Sequence, residues 1–430
     1  MSATTITTVD AWEALDSRGR PTVAARVLLA GGAEGVALVP SGASAGSHEA
    51  VELRDGGQRY AGRGVLTAVA NVNTTLAALV IGREAGSADA ALAEADESPR
   101  FATVGANAVL AVSLAAARAD AAAAGVSLAR RLAGNDAPLL LPMPMVNVIS
   151  GGAHAGGMLD VQDFLAVPVG ATCFAQAIEW AAAVREAAGR LALARGHREA
   201  VLVADEGGLG LALGANRAAL DLLTEAIESA GFAPGSDVAI AVDVAATQFY
   251  AGGRYLLASE RRDLSAQELV TELASWCERY PIVSMEDVLA EDDWDAWRHA
   301  TQVLGHRVEL IGDDLFVTQA ERLRRGIDAK VANSVLVKVN QNGLLSGART
   351  VLDLARAHGY RTVVSARSGE TEDSWLADLA VGWRAGQIKV GSTHRSERTA
   401  KWNRLLQLEA TEQTVFAGPW PDGRPWKETP

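Results

Sequence analysis

Cysteine is scarce in this chain, with two residues in 430, Cys173 and Cys277. They form no CxxC pair, which argues against a disulfide framework and against a thiolate zinc site. No apolar run approaches the roughly 20 residues that span a bilayer. The N-terminal stretch MSATTITTVDAWEALDSRG lacks a basic segment followed by an apolar core, so we expect no signal peptide. These absences predict a cytoplasmic protein that does not associate with a membrane.

The chain also has fewer basic residues than acidic residues. Lysine and arginine total 39 against 52 acidic residues, which gives a net charge of −13. Because binding to nucleic acid needs a basic face, nucleic acid is not an expected partner. The chain has neither a GxGxxG sequence after an early strand nor a Walker A sequence, so the common nucleotide-binding loops are not predicted. A hydrophobic content of 49% is typical of a globular protein with a sizeable core.

The pattern of the chain changes near residue 139. Residues 1–138 combine two strands around a GG turn with Ala-rich helices over 64–135, which predicts a small α+β domain. Over 139–409, short apolar strands alternate with helices, and at least six such units favour a closed (β/α)8-type barrel over an open sheet. Residues 410–430 lack periodicity and are predicted to be a tail. The expected fold is therefore α/β, with a small N-terminal domain before a barrel.

Six segments of the second region carry an ionisable residue inside them or at their C-terminal ends. They are VAIAVD, PIVSME, VELIGD, VLVK, GQIK and LVADE, with Asp243, Glu286, Asp313, Lys338, Lys389 and Glu206. In a barrel the C-terminal strand ends meet at one mouth. A single charge there is usually solvated, but six in succession predict a functional site, because buried charges are costly unless paired or metal-bound.

The residue types suggest the chemistry. Asp243, Glu286 and Asp313 supply hard oxygen ligands, which suit Mg²⁺. A lysine beside a divalent cation and another ammonium group has its neutral form favoured and can act as a general base, while the second lysine binds an anion.

The anion-binding and acid groups complete the pattern. Arg367 and Ser368 offer a phosphate or carboxylate site, and Glu206 precedes a Gly-Gly turn from which a carboxylic acid can protonate a leaving group. These groups predict removal of a proton next to a carboxylate, followed by loss of a β group.

The ordered motifs of this chain resemble the enolase family over nearly the whole length, from DSRGRPTV at 16–23 to RSERTAKWNRLLQLE at 395–409. Between them lie SGASAG, RDGG, GANAVLAVSLA, GGAHAGG, DEGG, YPIVSMED, EDDW, GDDLFVT, KVNQNG, RSGETED and GQIK. The resemblance implies an enolase-like fold and a phosphorylated carboxylate substrate such as 2-phosphoglycerate. It also implies two Mg²⁺ ions and assembly into dimers or larger homo-oligomers.

The resemblance also implies a role for each matching residue. Asp243, Glu286 and Asp313 match the ligands of the first Mg²⁺, and Ser44 matches the loop serine that binds the second.

The remaining matches concern the substrate and the protons. Lys338 matches the base at C2, Lys389 the lysine facing the substrate carboxylate, and Glu206 the acid that helps hydroxide leave. The other matching positions are the active-site histidine His154, the phosphate binders Arg367 and Ser368, and Gln162 beside the metals.

Some positions depart from the family pattern. The family's HRSGETED is ARSGETED here, so Ala366 replaces an active-site histidine, and its QEF is QDF, so Asp163 replaces a glutamate that works beside Glu206. Outside these two, the departures are Arg20, Ala45, Asn342 and the ATQFY segment at 246–250. His154 and His48 are two histidines that can take over the role of the missing imidazole, and the sequence does not choose between them.

Both active-site departures replace a larger side chain with a smaller one, which predicts a roomier pocket near the phosphate and leaving-group end. The hypothesis is a specialised paralogue that acts on a larger phosphonate-bearing substrate, such as the carboxyphosphonoenolpyruvate synthase of phosphinothricin-type phosphonate biosynthesis. It leaves open whether a CMP-activated phosphonate is a second substrate. The alternatives are an ordinary 2-phosphoglycerate dehydratase with neutral changes, and an inactive enolase-fold binding protein.

Overall fold

The computed structural model of the chain describes residues 1–42, 46–98, 100–134 and 136–418. Its N-terminal part begins with an antiparallel sheet of three strands in the order β1 (Ile6–Leu15), β2 (Pro21–Leu29) and β3 (Glu34–Leu38). The GG turn predicted from the sequence joins β2 to β3, which confirms that hairpin.

Ala-rich helices cover one face of this sheet. They are α1 (Leu66–Asn71), continued by a π-helical turn (Val72–Leu76), α2 (Ala77–Val80), α3 (Ala88–Leu92), α4 (Ala106–Ala123) and α5 (Leu128–Ala133). The long helix α4 packs on β2 and β3. At Gly35 a Cβ atom would lie 2.2 Å from the carbonyl oxygen of Ala115, so only glycine allows this close approach.

Within the described ranges, α4 is the helix long and apolar enough to cross a membrane by length and composition. It is 78% buried inside the molecule, as a core helix would be. Small alanine side chains on all its faces let the sheet and the neighbouring helices approach closely.

Eight strands form a closed barrel in the second part of the chain. In order around the barrel they are β5 (Met143–Ser150), β6 (Asp163–Val167), β8 (Ala239–Asp243), β12 (Ile282–Glu286), β13 (Glu309–Gly312), β14 (Ser334–Val337), β15 (Arg361–Ser365) and β16 (Gly386–Gly391). Pairing of β16 with β5 closes the circle. Five of the last six strands overlap segments named in the sequence analysis, VAIAVD, PIVSME, VELIGD, VLVK and GQIK, and the predicted closed barrel is confirmed.

Helices surround the barrel and short strands extend it. The helices are α6 (Phe174–Ala194), α7 (Asn216–Ser229), α8 (Ala266–Arg279), α9 (Trp294–Leu304), α10 (Ala320–Ala329), α11 (Val339–Asn342), α12 (Leu345–Ala357), α13 (Trp375–Gly382) and α14 (Ser396–Thr411). The short strands are β4 (Leu139–Leu141), β7 (Leu209–Gly210), β9 (Tyr250–Ala251), β10 (Arg254–Leu257), β11 (Arg262–Leu264) and β17 (Thr414–Phe416). Strand β17 pairs with β4, so the described end of the chain lies against the start of the barrel.

Two local expectations are corrected. The sheet is not wholly parallel, because β6 runs antiparallel to both β5 and β8. Only residues 151–162 connect β5 to β6, without the crossover helix that a parallel pair needs. The segment LVADE is not a strand either: Leu202 and Val203 are exposed, and Glu206 lies in a turn before β7.

The inner face of the barrel is layered. Residues two apart on a strand point the same way, so β13 places Glu309, Ile311 and then Asp313 on the inside. The middle of the barrel is a separate apolar cluster that includes Ile311, Leu336 and Val363. This apolar layer closes the barrel below the mouth, and the charged residues lie above it at the C-terminal ends.

Candidate active site

Strand register brings the predicted acidic ligands together. Glu286 lies opposite Asp243 on the neighbouring strand, and Asp313 directly follows β13. Because β6 is antiparallel, its first residue, Asp163, lies at the mouth opposite Asp243. A parallel β6 would have placed Asp163 at the other end of the barrel.

Two lysines lie between these carboxylates. The Lys389 ammonium donates to Asp243 Oδ2 at 2.6 Å and to Glu286 Oε2 at 2.8 Å. Lys338 donates to Asp313 Oδ2. All five side chains are largely buried, so the charges interact with little screening by solvent.

Amide side chains hold the carboxylates in place. Gln162 Nε2 donates to Asp243 Oδ2 at 3.0 Å, as expected for a residue beside the predicted metal ligands. Gln341 Nε2 donates to Asp313 Oδ1 at 2.9 Å. Gln341 was not predicted as a site residue, although it lies in the quoted motif KVNQNG three residues after Lys338.

The donor set fits a hard divalent cation. Burial raises the pKa of Glu286 well above its usual range, and the charge of Asp243 raises it further. Buried like charges of this kind need a counter-charge, and carboxylate oxygens with an adjacent amide are the ligands Mg²⁺ prefers. Within the described part of the chain, two groups have ligand atoms close enough together to hold a metal ion: Asp313 with Asp287 and Asp314, and His154 with Asp163 and Glu206. Ser44, predicted for the second Mg²⁺, lies outside the described residues.

The surrounding charges also set the protonation of the lysines. Burial lowers the pKa of Lys338, but the charges of Asp313 and Glu286 together raise it, and the net direction is upward. Burial also lowers the pKa of Lys389, but the charges of Asp243 and Glu286 raise it well above its usual value. The protein side chains alone therefore hold both lysines as ammonium ions. The neutral lysine expected from the sequence requires that the charge on Asp313 be neutralised.

Asp163, His154 and Glu206 form a buried acid–base group beside the metal ligands. His154 Nδ1 lies 2.8 Å from Asp163 Oδ2, and His154 Nε2 lies 3.6 Å from Glu206 Oε1. Burial alone would lower the pKa of His154, but the charges of Asp163 and Glu206 raise it to about 9. Burial raises the pKa of Glu206, yet His154 and nearby cations bring it below the usual value. The proton of this group therefore lies on His154, with Glu206 as a carboxylate.

Replacing Asp163 with asparagine is expected to lower the pKa of His154 from about 9 to below its ordinary value near 6.5, because burial then dominates. In the parent protein the pKa of His154 is higher in the folded state than in the unfolded state. The His154–Asp163 ion pair therefore stabilises the fold fully below about pH 6.5, and this stabilisation is lost as the pH rises through about 9. An NMR titration of the imidazole measures the shift. Glu199→Gln, beside the more exposed His197, is the control and leaves His154 unchanged; an unshifted His154 in Asp163→Asn contradicts the assignment.

The predicted phosphate-binding residues follow β15. Arg398, whose side chain is fully buried, donates to the carbonyl oxygens of Arg367 at 2.7 Å and of Ser368, and so fixes this turn. The backbone N–H of Arg367 donates to Glu370 at 3.0 Å, and Glu370 is paired in turn with the buried Lys401. Arg398 and Lys401 were missed as site residues, although both lie in the motif RSERTAKW at 395–402.

The mouth encloses a cavity of about 40 Å³. Ala366 lines it, and so do His154, Lys338, Arg367 and Lys389. The roomier pocket expected at Ala366 is not found as open space, because the lysine ammonium groups occupy the mouth beside the carboxylates. A substrate must separate these pairs to enter. His48 does not line this cavity and instead lies 3.4 Å from Asp292, which leaves His154 as the histidine at the site.

Comparison with protein families gives two matches that together cover most of the chain. Residues 6–132 match the family model described as the enolase N-terminal domain. Residues 138–420 match the one described as the enolase C-terminal TIM barrel domain. The second match contains the barrel and its mouth, and the first contains the three-stranded sheet and its helices.

Proposed function

The chain belongs to the enolase family, and from that premise we propose that it removes the C2 proton of 2-phosphoglycerate or of a related phosphonate-bearing acid. The product is an enolpyruvyl compound. The observation that carries the proposal is the arrangement of Lys338 and Lys389 against three buried carboxylates at one barrel mouth. An inactive binding protein would have no use for this costly set of buried charges.

In this proposal Asp243, Glu286 and Asp313 hold one Mg²⁺, and Ser44 contributes to a second. The bound cations supply positive charge that stabilises the charge developing on the substrate carboxylate. With Asp313 neutralised, Lys338 Nζ loses its proton more readily and receives the one from C2. Lys389 stays protonated and binds the substrate carboxylate.

The leaving-group side uses the second acid–base group. His154 carries a proton that Asp163 stabilises, and Glu206 lies on the other side of its ring. We propose that His154 and Glu206 supply the proton to the hydroxyl group on C3, which then leaves as water. Arg367 and Ser368 bind the phosphorus group, and Gln162 positions Asp243. The assignment differs from the sequence-based one, which gave the acid role to Glu206 alone.

The finer proposal is a specialised member, such as a carboxyphosphonoenolpyruvate synthase, with CMP-phosphonoformate as a second substrate. Ala366 supports it, because a methyl group lines the cavity where the family has an imidazole. The second candidate is an ordinary 2-phosphoglycerate dehydratase, which the complete set of three carboxylates and two lysines at the mouth favours. In either case we propose a cytoplasmic homodimer or larger homo-oligomer.

Phosphorus NMR with Mg²⁺ separates the two candidates. The specialised enzyme forms no phosphoenolpyruvate from 2-phosphoglycerate alone, and it gives a new phosphonate signal and CMP when CMP-phosphonoformate is added. In that case Ala366→His is expected to form phosphoenolpyruvate from 2-phosphoglycerate where the parent forms none, since the imidazole restores a proton-handling group. Ala366→Gln, which adds bulk without an imidazole, is the control. Rapid phosphoenolpyruvate formation by the unmodified protein contradicts the specialised role.

A further inference from the structure

The guanidinium proposed to bind the substrate's phosphorus group already holds a carboxylate of the chain. Arg367 Nη1 donates to Glu49 Oε2 at 2.9 Å, and Nη2 donates to Glu49 Oε1 at 3.2 Å. The side chains are 5% and 8% exposed. This two-point geometry is the one that arginine uses for phosphate and phosphonate, so Glu49 lies where the oxygens of the substrate are proposed to bind.

The two partners differ in how firmly the fold holds them. Arg398 and Glu370 fix the backbone at Arg367, as described above. Glu49 lies in a segment without helix or strand, and its carboxylate accepts the Gly46 N–H at 2.9 Å and a long hydrogen bond from Gln341 Nε2 at 3.4 Å. An arriving anion would therefore move Glu49 rather than Arg367.

Glu49 and Arg367 also lie between two cavities. Both residues line the catalytic cavity of about 40 Å³, and both line a neighbouring cavity of about 380 Å³. Arg100, Asn107 and Asn340 contribute cationic and amide groups to the larger cavity. Movement of Glu49 away from Arg367 would connect the two cavities.

We propose that Glu49 is an exchangeable internal anion that determines which substrates this site accepts. A phosphate or phosphonate dianion replaces the Glu49 carboxylate on Arg367, and the movement opens the catalytic cavity toward the larger one, where an additional anionic substituent of the substrate lies. The inference rests on the proposed role of Arg367. A weakly charged ligand cannot displace the carboxylate, because the Arg367 charge would then be left buried and poorly compensated.

Calorimetric titration with inorganic phosphate in the presence of Mg²⁺ tests this exchange. Glu49→Gln removes the competing charge and keeps the side-chain size, so phosphate affinity is expected to rise about tenfold or more. Glu13→Gln is the matched control, because the Glu13 carboxylate also accepts two hydrogen bonds from an arginine, Arg59, but lines neither cavity; it leaves the affinity unchanged. In an Arg367→Gln background, Glu49→Gln gives no gain.

Thermal unfolding measurements show whether Glu49→Gln folds. If it does not, a second variant at the same position provides the test. Glu49→Asp shortens the side chain and weakens the two-point contact, so it is expected to raise phosphate affinity by a smaller factor. Unchanged or weaker binding in a folded Glu49 variant overturns the proposal, and so does the absence of phosphate binding in both the parent and the variant. Proton exchange at C2 is measured separately, so failure of the proposed reaction is distinguishable from failure of this exchange.

Discussion

Replacement of Lys338 with methionine is expected to lower the rate of enolpyruvyl product formation by about 10²-fold to 10⁴-fold, the range that a positioned general base contributes. Among the described residues that line the catalytic cavity, the other ammonium group is Lys389, which is bound to Asp243 and Glu286. These two carboxylates raise the pKa of Lys389 well above its usual value, so it stays protonated, whereas Lys338 pairs with Asp313 and loses its proton more readily once Asp313 is neutralised. Product formation from the substrate that the parent turns over is followed by phosphorus NMR.

The matched control for this variant is Lys330→Met, at an exposed lysine that ends α10. It is expected to retain the rate of the parent protein. Mg²⁺ binding by Lys338→Met should persist, because Lys338 is not among the proposed ligands. A Lys338→Met protein that keeps the parent rate to within tenfold would show that another group removes the proton.

The second large effect is expected from Asp243→Asn, which should weaken Mg²⁺ binding by about 100-fold or more. Asp243 lies beside Glu286 on the neighbouring strand, and both carboxylates pair with Lys389. The change removes one of a small number of anionic oxygen ligands at this position. Even residues that only support a ligand typically contribute 10-fold to 100-fold to metal affinity. Calorimetry with Mg²⁺, together with the rise in unfolding temperature that Mg²⁺ produces, measures the loss.

Glu309→Gln is the matched control for Asp243→Asn. Glu309 is also a fully buried carboxylate inside the barrel, and it accepts a hydrogen bond from Gln387 at 2.7 Å. It begins β13, at the opposite end from the mouth, so its replacement should leave Mg²⁺ affinity unchanged. Equal loss of affinity in both variants would mean that the effect comes from a disturbed barrel and not from the site.

The barrel and the ends of its parallel strands could be predicted because both follow from short-range patterns. An apolar strand with an ionisable residue inside it or at its C-terminal end recurs five times, and a closed barrel is the architecture that buries such strands on all sides. Asp243, Glu286, Asp313, Lys338 and Lys389 thus converge as expected. Asp243, Asp313 and Lys338 point inward because each lies two residues after a residue of the apolar layer, namely Ala241, Ile311 and Leu336.

The antiparallel strand β6 could not be predicted in this way, because its direction depends on how residues 151–162 connect it to β5. The position of Glu206 in a turn was missed for a similar reason: LVADE has the composition of a strand but pairs with no neighbour. The contact between Glu49 and Arg367 joins residues 318 positions apart in the chain, and no local pattern encodes it. The protonation state of the two lysines could not be predicted from the sequence either, because it depends on distances between buried charges.

The roles proposed for Lys338, Lys389 and the metal ligands all depend on removal of the proton from C2 of a phosphoglycerate-like acid. The most direct measurement is proton NMR of 2-phosphoglycerate in deuterium oxide with the purified protein and Mg²⁺. Deuterium is expected to enter at C2 in a Mg²⁺-dependent manner, with phosphoenolpyruvate for an ordinary dehydratase and without it for the specialised enzyme. The absence of exchange by a folded, Mg²⁺-binding protein, with and without CMP-phosphonoformate, would contradict the proposed reaction and favour a binding role.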